Sequence, residues 1–298
     1  MLVLPEQPHL RCMTTGAAEP RSLPVPRTLS LPGAGVLRPA VARLGGAVRR
    51  GIESLGRGSR FLADTARAVA DVGTWRPHVV TQARLLGVDS LPIALFIALF
   101  TGIVLALLAS YSFTRAVPLY FVGTLVEKTL TMELAPVLTG LALAGRVGAN
   151  IAAELGTMAV TEQTDALETL AYDPHAYLVV PRVIAGTLMF PLVVGLAMVV
   201  GVAAGWGAST QLLDLSTEEF FKGARLYFDL FDVQYGLVKA ASFGFAVTLI
   251  GCRAGMTTRG GAQGVGRSST RAVVYSCVTI LVLDAFWAVV WLLGRSPY

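Results

Sequence analysis

Two stretches of this chain, Leu91 to Ser110 and Val183 to about Ala208, contain no charged residue at all. Each reaches the roughly 20 apolar residues that a helix needs to cross the hydrocarbon of a bilayer. Three further runs approach that length with only isolated charges. The run from about Val126 to Asn150 carries Glu127, Lys128, Glu133 and Arg146, that from about Val233 to Cys252 carries Lys239, and Ala272 to Leu293 carries Asp284. Charged residues make up 14% of the chain and hydrophobic ones 54%, against roughly 25% charged in an average soluble domain. The runs predict an all-α integral membrane protein with about five transmembrane helices.

Three regions follow. Residues 1–45 read as a disordered N-terminal tail, because the stretch to Pro39 holds seven prolines, several arginines and only two acids, Glu6 and Glu19. That composition suits an organellar transit peptide, and a translation start at Met13 is equally compatible. Residues 46–84 read as an interfacial amphipathic segment: Ile52, Leu55, Leu62, Ala66 and Val69 recur at steps of three, four and seven, while Arg50, Arg57, Arg60 and Arg67 fall mostly elsewhere. A soluble helix packed on a partner protein would show the same pattern. Trp75, Arg76 and Pro77 are expected to break this helix, with His78 to Leu86 leading into the membrane. Residues 85–298 form the membrane domain.

Lysine and arginine bias orients the spans. An N-terminus inside places the arginine-rich amphipathic segment, the 146–182 loop and Arg253, Arg259, Arg267 and Arg271 in the cytoplasm, leaving Arg115, Lys128, Lys222, Arg225 and Arg295 outside. Five spans then put the C-terminus outside.

Several chemistries lack their residues. A phosphate-binding loop ends in Gly-Lys-Ser/Thr, but the lysines are Lys128, Lys222 and Lys239 and none follows a glycine. The glycine-rich run from Arg259 to Gly266 therefore reads as a flexible connection between spans. His9, His78 and His175 form no HExxH, no serine sits in GxSxG, and Cys12, Cys252 and Cys277 form no CxxC. No catalytic residue, metal site, cofactor or nucleic-acid partner is indicated. Energy must come from another polypeptide or an ion gradient.

What remains is charge in unusual places. Between Arg146 and Arg182 lie Glu154, Glu162, Asp165, Glu168 and Asp173 with no lysine or arginine among them. Glu154, Met158, Thr161, Asp165 and Glu168 are spaced three or four apart, which on one continuous helix makes a single acidic face. Such a face suits a basic groove on a partner, or it is a solvated loop. Glu133, Lys239 and Asp284 are intramembrane charges and hence functional candidates. Lys239 and Asp284 fall at about the same depth, roughly 10–13 Å from the outer ends of their spans, and Glu133 lies roughly 10 Å deep. Lys239 and Asp284 are expected to pair, the alternative being separate snorkelling to the interface. Gly140, Gly145, Gly148, Gly195, Gly201 and Gly205 are expected at close helix crossings.

The run Glu133-Leu-Ala-Pro-Val-Leu-Thr-Gly-Leu-Ala-Leu-Ala-Gly-Arg-Val-Gly-Ala-Asn150, continued by Ala-Glu-Leu-Gly-Thr-Met and Thr-Glu-Gln-Thr-Asp-Ala-Leu167, resembles the MlaE or YrbE permeases of Mce-type ATP-binding cassette lipid transporters. Lys239, Gly260 to Gly266, Thr270 to Val274 and Asp284 continue the likeness, which covers roughly Leu85 to Leu293. Met132 departs from it, standing where some relatives place an arginine. The resemblance implies a permease without ATPase activity, working as a pair of copies in a cell's inner membrane. It also implies a separate ATPase subunit, an Mce-domain (MlaD-like) partner and phospholipid cargo. Glu154, Met158, Thr161, Glu162, Asp165 and Glu168 then belong to a coupling helix seated in the ATPase. An ion-coupled secondary carrier and a non-transporting scaffold are the competing readings; the first is weakened because five spans show no obvious inverted repeat.

Overall fold

The computed structural model describes Arg49, Glu53 and residues 56–113, 118–213 and 215–294. The chain divides into two units, Met1–Glu53 and Ser54–Tyr298. In the first, Arg49 and Glu53 form an exposed ion pair of 2.9 Å, one helical turn apart. The tail, together with Ile52, Leu55, Arg115 and Arg295, lies outside the described residues.

The second unit is built of helices, and among the described residues it contains no strand. Helix α1 (56–68) precedes α2 (Val72–Leu86) and the first span α3 (Leu91–Ser112). The second span is one helical rod from Phe121 to Val160. It comprises α4 (Phe121–Thr129), α5 (Ala135–Leu143) and α6 (Ala149–Val160), joined through π-helical turns at Leu130–Leu134 and Ala144–Gly148. After the short α7 (Gln163–Thr169), a π turn at His175–Val179 leads into α8 (Val180–Leu212). Helix α9 (Thr217–Leu226) lies between spans, and α10 (Leu230–Met256) and α11 (Gly261–Gly294) complete five candidate membrane crossings. A rod of 40 residues is about 60 Å long, twice the roughly 30 Å of hydrocarbon. The spans gather Arg253, Arg259, Arg267 and Arg271 at one end, the arginine-rich end.

Helix α10 is the centre of the bundle: its most apolar window is 61% buried, that of α11 only 11%. Two apolar clusters stack along it. Leu143, Ile151, Val183, Phe190, Phe243 and Val247 pack toward the arginine-rich end, and Val126, Leu130, Val194, Met198, Phe220 and Ala240 toward the other.

Three expectations are corrected. The first helix ends at Ala68, not at Trp75–Pro77; the Trp75 indole donates to the Val69 carbonyl at 3.0 Å, and Pro77 lies inside α2, where a missing N–H forgoes a single helical bond. The run from Gly261 to Gly266 is helical, the first two turns of α11, and the turn before it uses the positive φ of Gly260 and Gly261. Cross-helix bonds offset the poor helix propensity of its glycines: Ser268 meets Thr258 at 2.7 Å and the Ser269 hydroxyl donates to the Ala149 carbonyl at 3.1 Å. The single acidic face does not form either, because the rod stops at Val160 and Glu162 takes a left-handed conformation (φ 60°) that turns the chain before α7.

On α1, Phe61 packs on the bundle and Thr65 and Ala68 are buried, leaving Leu62, Ala66 and Val69 exposed. Where α3 crosses α8, a Cβ on Gly102 would collide with the carbonyl of Gly201, and one on Gly205 would lie 3.2 Å from the Gly102 carbonyl oxygen and 2.7 Å from Val126 Cγ1 of α4. Hydrocarbon gives helices no hydrophobic drive to associate, so close van der Waals contact must hold them. Gly145, by contrast, has open space around it. Gly102→Val is therefore expected to destabilise the detergent-solubilised protein by about 1–3 kcal/mol or more, and Gly145→Ala to leave it unchanged within about 1 kcal/mol. Thermal unfolding followed by size-exclusion chromatography checks both; equal melting of the two variants would exclude the crossing as a stability determinant.

Candidate functional site

Lys239 lies on α10 with a side chain fully buried in the bundle. Its Nζ stands 2.6 Å from Glu133 Oε2 and 2.5 Å from Asp284 Oδ1, and the Tyr235 ring lies 5.3 Å away. The two carboxylates are more open, Glu133 at 41% and Asp284 at 25% side-chain exposure. Burial of a lone ammonium in hydrocarbon is prohibitive, and two carboxylates with an aromatic face make it tolerable.

Local sequence places each member. Pro136 has no N–H to offer the carbonyl of Met132, four residues earlier, and Lys239 Nζ lies 3.5 Å from that carbonyl. Glu133 sits in the π turn just before Pro136; such turns recur at functional sites because they re-aim a side chain without ending the helix. Gly236 lets α10 approach this turn, since a Cβ there would be 2.6 Å from the Thr131 carbonyl oxygen. On α11, Trp287 donates its indole N–H to Ser242 at 3.0 Å, and the Ser242 hydroxyl donates to the Lys239 carbonyl at 2.6 Å. The lysine is thus fixed from three helices.

Two further pairs were not foreseen. Lys128 Nζ meets the fully buried Asp232 at 2.6 Å and also donates to the Tyr227 carbonyl at 3.2 Å. Arg182, 4% exposed, meets Glu154 at 2.7 Å and donates to the Leu178 carbonyl at 2.6 Å. Partners 104 and 28 residues apart leave no periodic trace, although the first arginine after the acid-rich segment was a signal for Glu154.

The residues expected to form one docking face therefore separate. Glu154 turns to Arg182, and Met158 packs against the apolar cluster with Leu167. Thr161 closes the rod by donating its hydroxyl to the Thr157 carbonyl at 2.9 Å. Glu162, Asp165 and Glu168 are exposed, beside the exposed Leu170 and Tyr172.

Breaking a buried charge pair by removing one partner typically costs about 3–5 kcal/mol. Lys239→Ala and Asp284→Ala are each expected to lower thermal stability markedly, and the double variant to recover only part of the loss, because Glu133 still faces the vacated site. Simple addition of the two losses in a double-mutant cycle would show that the charges act separately.

The geometry agrees with what the chain is similar to. The model of the family described as Permease MlaE matches residues 79–290. A probable ABC transporter permease protein of Rickettsia felis is 40% identical over 230 residues, covering 77% of this chain and 89% of its own length. One from Synechocystis is 43% identical over 221 residues, 74% of this chain and 83% of its own. A chloroplast protein of Arabidopsis thaliana named trigalactosyldiacylglycerol 1 is 37% identical over 210 residues, 70% of this chain and 60% of its own. With its charged triad set among five apolar spans, this multi-pass membrane protein belongs to the MlaE permease family.

Proposed function

We propose that the chain is the permease subunit of an ATP-binding cassette transporter and that its cargo is a phospholipid or related lipid. The observation that carries the reading is the family match over residues 79–290, joined to relatives named as ABC transporter permeases. A relative bearing the name of a galactolipid supports a lipid cargo. In this reading two copies enclose the lipid path, and an Mce-domain protein receives or delivers lipid at the face away from the ATPase. The permease sits in a cell's inner membrane with its N-terminus in the cytoplasm and its C-terminus outside, an orientation supported by the arginines gathered at one end. The exposed stripe of Leu62, Ala66 and Val69 suits a helix lying on the cytoplasmic surface. Arginines beside anionic headgroups there contribute about 1 kcal/mol each.

The segment from Glu154 to Glu168 is the coupling element. Glu162, Asp165 and Glu168 present the acidic surface to a basic groove of the ATPase, while the Glu154–Arg182 pair ties the rod to α8 beside it. Motion pressed on α7 would thus reach two spans at once. Glu133, Lys239 and Asp284 belong to the lipid path, holding three helices in register beside it.

Charge reversal separates these roles. Glu162→Lys/Asp165→Lys is expected to abolish co-purification with the ATPase, or to uncouple ATP hydrolysis from lipid movement in proteoliposomes, without lowering the melting temperature. Normal coupled transport by that variant would remove α7 from the mechanism. ATPase activity stimulated by lipid in the assembled wild type tests the wider reading, since a scaffold would show none.

A further inference from the structure

Between α10 and α11, on the arginine-rich side of the triad, two cavities run into one another. The first, about 460 Å³, is lined by Phe245, Ala246, Leu249 and Leu283 and reaches Ser242 at its inner end. The second, about 480 Å³, holds the side chains of Arg253, Arg271, Thr257, Ser268 and Tyr275. Ile250 and Thr279 line both, so the two are one groove, apolar along most of its length and cationic at one end. Among the described residues no carboxylate lines either part.

The levels match a bilayer. Lys239 and Asp284 lie about 15 Å from the end of the bundle opposite the arginines. Arg253 on α10 and Arg271 on α11 each lie about 20 Å farther along, so both guanidiniums stand near the edge of a hydrocarbon layer roughly 30 Å thick. Arg253 is half-buried, and α1 closes over it at Gly58, where a Cβ would come within 2.9 Å of its Nη1. Arg271 remains exposed. An apolar channel along the hydrocarbon, ending in two guanidiniums and three hydroxyls at headgroup depth, has the polarity profile of one phospholipid molecule.

We propose that this groove binds a phospholipid of net negative headgroup, with an acyl chain along Ala246 and Leu249 and the phosphate between Arg253 and Arg271. Each guanidinium offers a planar fork of donors that fits phosphate oxygens bidentately. The Tyr275 hydroxyl meets the headgroup oxygens, while the hydroxyls of Thr257 and Ser268, bonded to the Arg253 carbonyl and to Thr258, make the same end of the groove polar. The site does not require that the chain transport anything, and it lies on the arginine-rich side of the triad assigned above to the lipid path.

Native mass spectrometry of the full chain in detergent, titrated with phosphatidylglycerol and phosphatidylcholine, tests it. The wild type is expected to hold one phosphatidylglycerol about tenfold more tightly than phosphatidylcholine. Arg253→Gln/Arg271→Gln should lose that preference. Ala246→Trp, which fills the apolar part with both arginines intact, should weaken phosphatidylglycerol binding at unchanged elution volume and helical circular dichroism. Binding that survives in both variants overturns the proposal. So does a loss confined to the arginine variant with displacement of the lipid by glycerol phosphate, which would mark a site for a soluble phosphate ester. A wild type that binds no lipid while dimeric overturns it in favour of a second copy covering the groove. Bound lipid is read here without transport, so either outcome leaves the permease reading to its own experiment.

Discussion

A lysine with no exposed surface, in a bundle surrounded by hydrocarbon, is the constraint that organises this protein. Lys239 can keep its charge only if carboxylates reach it, and the two that do come from different spans, Glu133 on the second and Asp284 on the fifth. Their geometry fixes how far each helix slides along its neighbours. Gly236, the π turn before Pro136 and the Trp287–Ser242 hydrogen bond all serve that single meeting point. Apolar packing alone would leave helices free to shift by a turn, because one layer of leucine and valine resembles the next. Charges do not permit that freedom.

The same logic recurs at both ends. Lys128 with Asp232 pins the rod to α10 near the end opposite the arginines, and Glu154 with Arg182 pins it to α8 near the other. The second span therefore carries a polar attachment at three levels, twice to α10 and once to α8. Close glycine crossings such as Gly102 on Gly201 supply the remaining cohesion between α3 and α8. Polar pairs set register, and small residues let backbones touch.

The spans were legible because run length and lack of charge are direct consequences of bilayer thickness. Depth arithmetic also brought Lys239 and Asp284 to one level, and they meet. It placed Glu133 at a similar depth but not its direction, since that depends on a π turn whose only sequence mark is Pro136. The break at Glu162 was invisible for a related reason: Thr161-Glu162-Gln163 contains neither glycine nor proline, and a left-handed glutamate is disfavoured by local energetics. Glu154 seemed to belong to a docking face because spacing alone does not reveal an arginine waiting on another helix. Glycine spacing was likewise a partial guide: Gly201 and Gly205 are tightly enclosed, whereas Gly145 touches nothing.

The π turns of the second span carry a consequence for how such a chain can vary. Each α-helical residue turns the helix by about 100°, so a residue gained or lost in regular helix rotates everything beyond it, whereas a π turn takes up an extra residue locally and keeps the helix on either side in phase. Glu133 and Arg146 each lie in such a turn. Losing one residue at Leu130–Leu134 would let the helix relax to regular geometry with its far end still in phase, but Glu133 would no longer be re-aimed toward Lys239; losing one between the turns, within Ala135–Leu143, would swing Glu154 away from Arg182 while leaving every apolar residue in the bilayer. The count of residues between these turns is therefore a structural quantity in its own right. A span of this kind can lose the extra residue of a π turn and keep its far end in phase, but it cannot be shortened by one between the turns.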